Sequence, residues 1–213
     1  MAASSHTAPP LLTLVRHGRT AHNAAGRFQG WADIPLDDTG HKQARLLAEH
    51  LTEHPVTPTR LYASDLSRAA QTAAPLAINL GLQAVSTPAL REIHIGRWEG
   101  LTFTEIESLD AGALQAWPLK GAPGGESIHE VAVRLRSWLD ALDLTRDEHV
   151  IVVTHGAAIT ALLCNLLDWD YAEAWAEHRG AHENTAFSTL TLDLPITCHP
   201  LACAAHLHVR PLR

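Results

Sequence analysis

The sequence predicts an α/β protein of three layers, with a mainly parallel central sheet that carries helices on both faces. Residues 11–15 and 149–153 are apolar runs of the length and composition typical of strands that are covered on both sides. Between and after them, segments with helical apolar spacing alternate with short strand-like segments. Such alternation favours parallel strands joined by crossover helices.

The first half of the chain continues this pattern. A helix is expected at residues 41–53, where apolar side chains recur on one face. A short strand at 60–63 leads to Ser64, a candidate N-cap for a helix that occupies residues 69–80. Gly81 is expected to end that helix.

The middle of the chain is less regular. Residues 90–103 indicate a polar and aromatic loop, and residues 104–125 are rich in glycine and proline towards their end. We therefore expect residues 93–125 to form a cap over a site. Ser127 and Glu130 have the spacing of a capping box, and an amphipathic helix follows them.

The last third predicts an apolar helix at residues 157–167 and strands at 185–194 and 205–209. A chain of 213 residues is most simply one domain, so residues 1–213 are interpreted as a single unit.

Composition excludes several functional classes. The formal net charge is −7 and the cations are dispersed, which argues against a nucleic-acid partner. No apolar run approaches the length of a membrane span, and residues 1–10 lack the features of a signal peptide. Three cysteines form no disulfide framework, so a cytoplasmic location is expected.

Chemistry is indicated where the two apolar runs end. Arg16, His17 and Gly18 follow the first run, and His155 and Gly156 follow the second. Ligands bind beyond the carboxyl ends of the strands in open α/β sheets. If the strands are neighbours, both imidazoles share one site. A neutral imidazole can attack phosphorus, and an arginine can grip phosphate oxygens.

Two further side chains are candidates. Arg68 falls in the first turn of a predicted helix, where the dipole disfavours a cation unless an anion is bound. It can equally be a solvated surface residue. Glu92 lies in a loop and could protonate a leaving oxygen, although Glu99 and Glu126 are rivals on composition alone.

Taken together, these segments resemble the histidine phosphatase superfamily, also called phosphoglycerate mutase-like. The resemblance covers nearly the whole chain, in order, and the four motifs together are specific. They comprise Arg16, His17, Gly18, Arg19, Thr20 and Asn23; residues 64–73 around Arg68; Arg91 and Glu92 with residues 96–100; and Thr154, His155 and Gly156.

The resemblance implies a phosphoryl transfer in two steps, with neither metal nor cofactor. His17 would be the nucleophile that becomes phosphohistidine, within a positive pocket formed by Arg16, Arg68 and His155. Glu92 would serve as general acid and then as general base. The substrate-binding positions implied are Asn23, Gln29, Gly30 and Gly156.

The expected function is therefore that of a phosphomonoesterase acting on a small phosphorylated metabolite. The compact region after Glu92 and the turn at residues 123–127 are similar to the phosphatase branch. A cofactor-dependent phosphoglycerate mutase is the alternative, and a catalytically inactive phospho-ligand binding protein is a third hypothesis. Family members often dimerise, so a homodimer is one expected state.

The substrate is less well indicated. Trp31, Trp98, Phe103 and Trp117 form either an apolar or sugar-stacking wall or simple packing of the cap. Arg97 and Lys120 could hold a second anionic group or be solvated. A cluster near the C-terminus has zinc-ligand residue types but the spacing of no known finger, so no metal site is predicted. Its members are Cys198, His199, Cys203, His206 and His208.

Overall fold

The computed structural model describes residues 7–53 and 57–208. Its strands are β1 (Leu11–Arg16), β2 (Arg60–Ser64), β3 (Ala84–Thr87), β4 (His149–Thr154), β5 (Phe187–Thr191) and β6 (Thr197–Cys198). Its α-helices are α1 (Ala21–Ala24), α2 (Asp38–Thr52), α3 (Ser67–Leu80), α4 (Phe103–Lys120), α5 (Ile128–Asp140), α6 (Gly156–Leu167) and α7 (Tyr171–Ala176). Short 3₁₀ turns lie at Pro88–Leu90, Gly96–Trp98 and Ala205–Leu207.

Within the described residues the strands form one sheet in the order β3-β2-β4-β1-β5-β6. The pairs β3–β2, β2–β4 and β4–β1 are parallel, whereas β5 is antiparallel to both of its neighbours. The mainly parallel sheet predicted from the sequence is confirmed. The two apolar runs form β1 and β4, which are adjacent at the centre of the sheet.

Helices cover both faces of the sheet, as expected. Successive side chains of β4 point to opposite faces, so Val150 and Val152 pack with α5 and α6, whereas Ile151 and Val153 pack with α2 and α3. The strand is buried along its whole length. This explains why its sequence is continuously apolar rather than alternating.

Two predicted helix starts need correction. Helix α2 begins at Asp38, because the Asp37 side chain accepts a hydrogen bond from the Gly40 amide and acts as the N-cap. Ser64 ends β2, and helix α3 begins after Leu66 without a side-chain cap. Gly81 ends α3 in the left-handed conformation, as predicted.

The cap segment is more regular than the sequence indicates. Residues 103–120 form helix α4, which starts at a capping box between Thr102 and Glu105. Asp110 has non-helical backbone angles and divides α4 into two pieces. That kink interrupts the 3.6-residue period, so the apolar spacing gives no clear helical signal. The interpretation of residues 104–125 as irregular is therefore wrong for residues 104–120, whereas residues 121–125 form bends and turns.

The C-terminal region also differs from expectation. Strand β5 is shorter than the predicted 185–194, and β6 was not predicted. Residues 205–207 form a 3₁₀ turn, so the predicted strand at 205–209 is wrong for its described part, and residue 209 lies outside the described residues. Strand β3 at the sheet edge was also missed.

No helix among the described residues combines the length and apolar character needed to cross a membrane. All three cysteines are free thiols, and Cys164 is buried inside α6. Burial raises the pKa of the Cys164 thiol to about 11, which is consistent with a packing role.

Candidate active site

The ends of β1 and β4 bring the two predicted histidines together. Arg16 and Thr154 are partners in the parallel register, and the His17 amide donates to the Thr154 carbonyl at 2.9 Å. The rings of His17 and His155 consequently lie with their centroids 5.2 Å apart. The structure thus places both imidazoles at one edge of the sheet.

The ring of His17 is held in one tautomer. Its Nδ1 lies 2.7 Å from the Gly18 carbonyl oxygen, and because a carbonyl can only accept, Nδ1 carries the proton. The lone pair is then on Nε2. Burial, with the charges of Arg68 and Arg16, lowers the pKa of His17 well below its ordinary value. The imidazole is neutral at physiological pH, as a nucleophile must be.

His155 has the opposite tautomer. The Nε of Arg68 donates to His155 Nδ1 at 3.1 Å, so Nδ1 is the acceptor and Nε2 carries the proton. That Nε2 is buried and has no hydrogen-bond partner. Burial and the neighbouring Arg68 lower the pKa of His155 well below the ordinary value. His155 therefore offers an unused N–H donor beside the His17 ring.

Arg68 is buried, not solvated. Its side chain is completely shielded, and its guanidinium donates to the carbonyls of Ala32 and Gly30, at 2.8 Å each. Burial lowers its pKa to about 10, so it is still a cation at neutral pH. A fully buried cation that makes no ion pair is costly unless an anion joins it. This favours the anion-binding alternative.

Arg16 is the second cation of the site and is half-buried. Its Nη1 donates to the His182 carbonyl, while its Nε is buried without a partner. His182 itself is fixed, because its Nδ1 lies 2.6 Å from the Gly180 carbonyl and its Nε2 lies 2.8 Å from Ser188 Oγ. Arg16 Nε and His155 Nε2 are thus two unsatisfied buried donors at the same site.

Glu92 lines the same cavity. Its carboxylate accepts the amides of Ala157 and Ala158, at 3.3 and 2.9 Å, at the start of α6. Of its rivals, Glu99 accepts the Trp31 amide and Glu126 pairs with Arg134. Neither rival lines the cavity, and Glu92 is the one acidic side chain among the described residues that does.

The predicted substrate-binding positions line the same cavity. The Asn23 Oδ1 accepts from the Thr20 amide and from Asn184 Nδ2, and Gln29 Oε1 accepts from the Thr20 hydroxyl. Gly30 has a φ of +51°, and a Cβ there would lie 2.5 Å from Ile95. Only glycine fits this position.

The glycine that follows His17 is required for packing. A Cβ on Gly18 would lie 2.7 Å from the Gly40 carbonyl oxygen, so helix α2 approaches the end of β1 closely. Glycine is therefore required at position 18 by the contact between two backbones. Gly156 meets ordinary contacts with Arg16 and lines the cavity as the first residue of α6.

The cavity has a volume of about 340 Å³ and two distinct ends. The inner end is lined by His17, Arg16, Arg68 and His182, and the ring of His155 lies beside that of His17. The outer end is lined by Trp117 of α4, Trp175 of α7 and Arg27, together with the exposed His178 and the half-buried Arg179. Trp117 and Trp175 meet edge to face, with ring centroids 4.8 Å apart.

Most of the aromatic residues that the sequence suggested as a wall beside the substrate do not line the cavity. Trp31, Trp98 and Phe103 do not line the cavity, and neither do Arg97 or Lys120. The Trp31 indole donates to the Glu92 carbonyl at 2.7 Å, so it supports the loop that carries the carboxylate.

Several residues at the site were not predicted. His182 and Asn184 precede β5, and because β5 runs antiparallel to β1, its start lies at the edge where β1 ends. Polar residues just before a strand that pairs antiparallel with β1 are the signal that could have identified them. Trp175 and Arg179 offered no comparable signal.

The cysteine and histidine cluster near the C-terminus is not gathered around one point. Among the described residues, no group of three or more histidine, cysteine or acidic side chains has a metal-binding arrangement. His206 instead lies against Thr185 and Phe187.

Comparison with known proteins decides the family. The model of the histidine phosphatase superfamily, branch 1, matches residues 12–194. The chain belongs to this superfamily. The family resemblance and the enzyme class predicted from the sequence, a phosphoric monoester hydrolase, are both confirmed.

Two curated relatives and one solved structure illustrate the relationship. A glucosyl-3-phosphoglycerate phosphatase of Mycolicibacterium vanbaalenii is 36% identical over 73% of this chain and 73% of its own length. A probable phosphoglycerate mutase of Photorhabdus laumondii is 36% identical over 82% and 81%. A mycobacterial glucosyl-3-phosphoglycerate phosphatase, solved with inorganic phosphate, has a TM-score of 0.79 at 32% identity and covers 92% of this chain and 98% of its own.

Proposed function

We propose that this protein hydrolyses small phosphate monoesters through a phosphohistidine formed on His17. The observation that carries the proposal is the convergence of a neutral nucleophilic Nε2 with two unused buried donors, Arg16 Nε and His155 Nε2. Among the residues that line the cavity, the guanidinium groups of Arg16 and Arg68 are accompanied by a single carboxylate, that of Glu92, so the inner end attracts a phosphate dianion.

In the first step, the Nε2 lone pair of His17 attacks phosphorus and the bond from phosphorus to the ester oxygen breaks. Arg16, Arg68 and His155 donate hydrogen bonds to the phosphoryl oxygens as charge develops on them. The carboxyl group of Glu92 gives its proton to the departing oxygen, so the product leaves as an alcohol.

In the second step, the Glu92 carboxylate takes a proton from a water molecule whose oxygen attacks the phosphorus. The bond between phosphorus and His17 Nε2 breaks, and inorganic phosphate leaves. The amides of Ala157 and Ala158 hold the Glu92 side chain in one orientation during both steps. Neither proton transfer in this scheme requires a metal ion.

The outer end of the cavity supports an alcohol of moderate size. Trp117 and Trp175 offer ring faces and edges of the kind that pack against sugars or apolar groups. The names of the relatives suggest a sugar-bearing ester, and we propose glucosyl-3-phosphoglycerate as the first natural ester to assay.

The test is the His17→Ala variant, assayed with an aryl phosphate in the presence of EDTA. We expect turnover to fall by at least about a thousandfold, since the residue forms the covalent intermediate. His41→Ala, on the exposed face of α2, is the matched control and should retain full activity. Retained turnover in His17→Ala, or loss of turnover with EDTA in the parent protein, would overturn the mechanism.

A mutase is the second candidate, because one relative is named a probable phosphoglycerate mutase. Incubation with 3-phosphoglycerate separates the two reactions. Hydrolysis predicts release of inorganic phosphate without accumulation of the isomer, whereas faster formation of the isomer would favour the mutase. A protein that binds phosphate tightly but never becomes labelled on His17 would match the inactive binding protein instead.

We also propose that the protein acts in the cytoplasm, and its free thiols support a reducing compartment. A homodimer remains part of the proposal on the basis of the family alone. Light scattering on the purified protein tests it.

A further inference from the structure

Thr185, just before β5, has an unusual backbone conformation beside the nucleophile. It is completely buried and has a φ of +65°, in the left-handed region that β-branched residues rarely adopt. In this conformation its amide points at the end of β1 and lies 3.0 Å from the Arg16 carbonyl and 3.3 Å from the His17 carbonyl. Conformations of this kind persist only where the surroundings hold them.

The preceding residue reaches the same carbonyl. Asn184 Nδ2 donates to the His17 carbonyl at 3.1 Å and to Asn23 Oδ1 at 3.2 Å. The backbone of the nucleophile is therefore fixed from one side by two consecutive residues. Its ring orientation depends on that backbone, because Nδ1 is tied to the adjacent Gly18 carbonyl.

One side chain from the C-terminal region holds Thr185 in place. The Thr185 hydroxyl lies 2.6 Å from the Asn184 carbonyl and donates to it, so its oxygen accepts from His206 Nε2 at 2.9 Å. His206 lies on the 3₁₀ turn Ala205–Leu207, only 2% exposed, and its ring packs against Phe187 and against His50 of α2.

We propose that His206 is a positioning residue for the nucleophile. Through the Thr185 hydroxyl it keeps Thr185 in the left-handed conformation, and the Thr185 amide then fixes the carbonyls of Arg16 and His17. His206 touches no reacting atom and does not line the cavity. This role rests on the proposed function, in which His17 is the nucleophile. The experiments below therefore use variants other than His17→Ala.

The test is a double-mutant cycle between His206→Phe and Thr185→Gly. Phenylalanine keeps the ring packing but removes the donor, so we expect kcat for an aryl phosphate to fall about tenfold to a hundredfold with KM nearly unchanged, because the nucleophile is misplaced. Glycine adopts a positive φ without support. In the Thr185→Gly background, the same His206→Phe change should therefore alter kcat by less than about twofold.

Two further variants keep the inference testable. In His206→Gln the amide nitrogen can reach the Thr185 hydroxyl, so kcat should recover to within about threefold of the parent. His208→Phe, on the exposed end of the same turn, is the matched control and should leave kcat unchanged. If His206→Phe is poorly folded, His206→Asn replaces it in the cycle, and melting temperatures are measured for every variant.

The outcomes are distinguishable from failure of the proposed function. An unchanged kcat in His206→Phe, or an equal loss of kcat in both Thr185 backgrounds, would overturn the positioning role. Loss of melting temperature without loss of kcat would show that His206 only stabilises the fold. If His17→Ala stays active while the cycle behaves as expected, the assignment of His17 as the nucleophile fails, and the cycle then shows only that His206 and Thr185 together position the end of β1.

Discussion

The inner end of the cavity is built by the ends of β1 and β4 and the first turn of α3, whereas helices α4 and α7 contribute to the outer end. At the inner end, Arg68, His17 and His155 are each 2% exposed or less and are hydrogen-bonded into single orientations. At the outer end, His178 is exposed and Arg179 pairs with Glu177 on the surface.

This difference separates two tasks. In the proposed mechanism the buried end binds the phosphoryl group, so its groups should matter equally for every phosphate ester. The outer end would then contact only the alcohol, so its groups should matter for the choice among esters. Substitutions at the two ends are therefore expected to give different kinetic signatures.

The largest effect is expected from Arg68→Met. This change removes a buried cation from the phosphate site, so kcat/KM should fall by about a hundredfold to a thousandfold for aryl and sugar phosphates alike. Phosphate should raise the melting temperature of the parent but not of this variant, which calorimetry would show. Arg45→Met, on the exposed face of α2, is the control and should behave as the parent. A loss confined to one class of ester would break the proposed division between the two ends.

His155→Ala should have the next largest effect. It removes the unused Nε2–H donor, and kcat should fall about a hundredfold, again for every ester. His155→Gln places an amide N–H near the same point and should be less impaired. Steady-state kinetics with two unlike esters would check this, and equal activity of both variants with the parent would exclude His155 from the phosphate site.

The buried histidines should also make stability fall in mild acid. Burial lowers the pKa of His182 and His206 to about 4, and with the nearby arginines it lowers the pKa of His17 and His155 well below the ordinary value. The fold favours the neutral rings, so their contribution is complete above about pH 6.5 and is lost as the pH falls towards the folded pKa values. Each histidine should lower the free energy of unfolding by up to about 1.4 kcal/mol per pH unit in that window.

Urea denaturation between about pH 7 and about pH 5 measures this loss. His182→Phe should reduce the slope, since one proton fewer is taken up on unfolding. A stability that stays constant across this range would show that the inner histidines are not held neutral.

The smallest effect is expected at the outer end. Trp175→Ala should lower kcat/KM about tenfold for a sugar-bearing ester and change it little for a small alkyl phosphate. Parallel assays of the two esters give the ratio directly. An equal loss for both esters would mean that α7 also shapes the phosphate end.

The same division governs what the sequence could predict. The inner end follows from patterns of short range: apolar runs identify β1 and β4, and the residues that follow each run are delivered to one edge of the sheet. The fold class and the juxtaposition of His17 with His155 could be predicted for this reason. Arg68 remained ambiguous because its burial depends on Gly30 and Ala32, which are distant in sequence.

The outer end depends on packing that no local pattern encodes. The kink at Asp110 obscures α4, and α7 is only 6 residues long, so neither gives a periodic signal. Trp31 and Trp98 were indistinguishable from Trp117 by type, and only the path of the chain decides which of them faces the cavity. At the C-terminus, alternation of His206 and His208 imitated a strand where a 3₁₀ turn forms.

The position of β1 in the sheet has a consequence for biosynthesis. Strand β1 pairs with β4, which begins at His149, and with β5, which ends at Thr191. A ribosome that has completed residue 148 has therefore synthesised neither neighbour. The backbone groups of β1 can form their hydrogen bonds to neighbouring strands only after the last third of the polypeptide has been made. Pairing between segments so distant in sequence slows folding. A chain truncated before β5 should therefore have no catalytic activity, however many of its helices have formed.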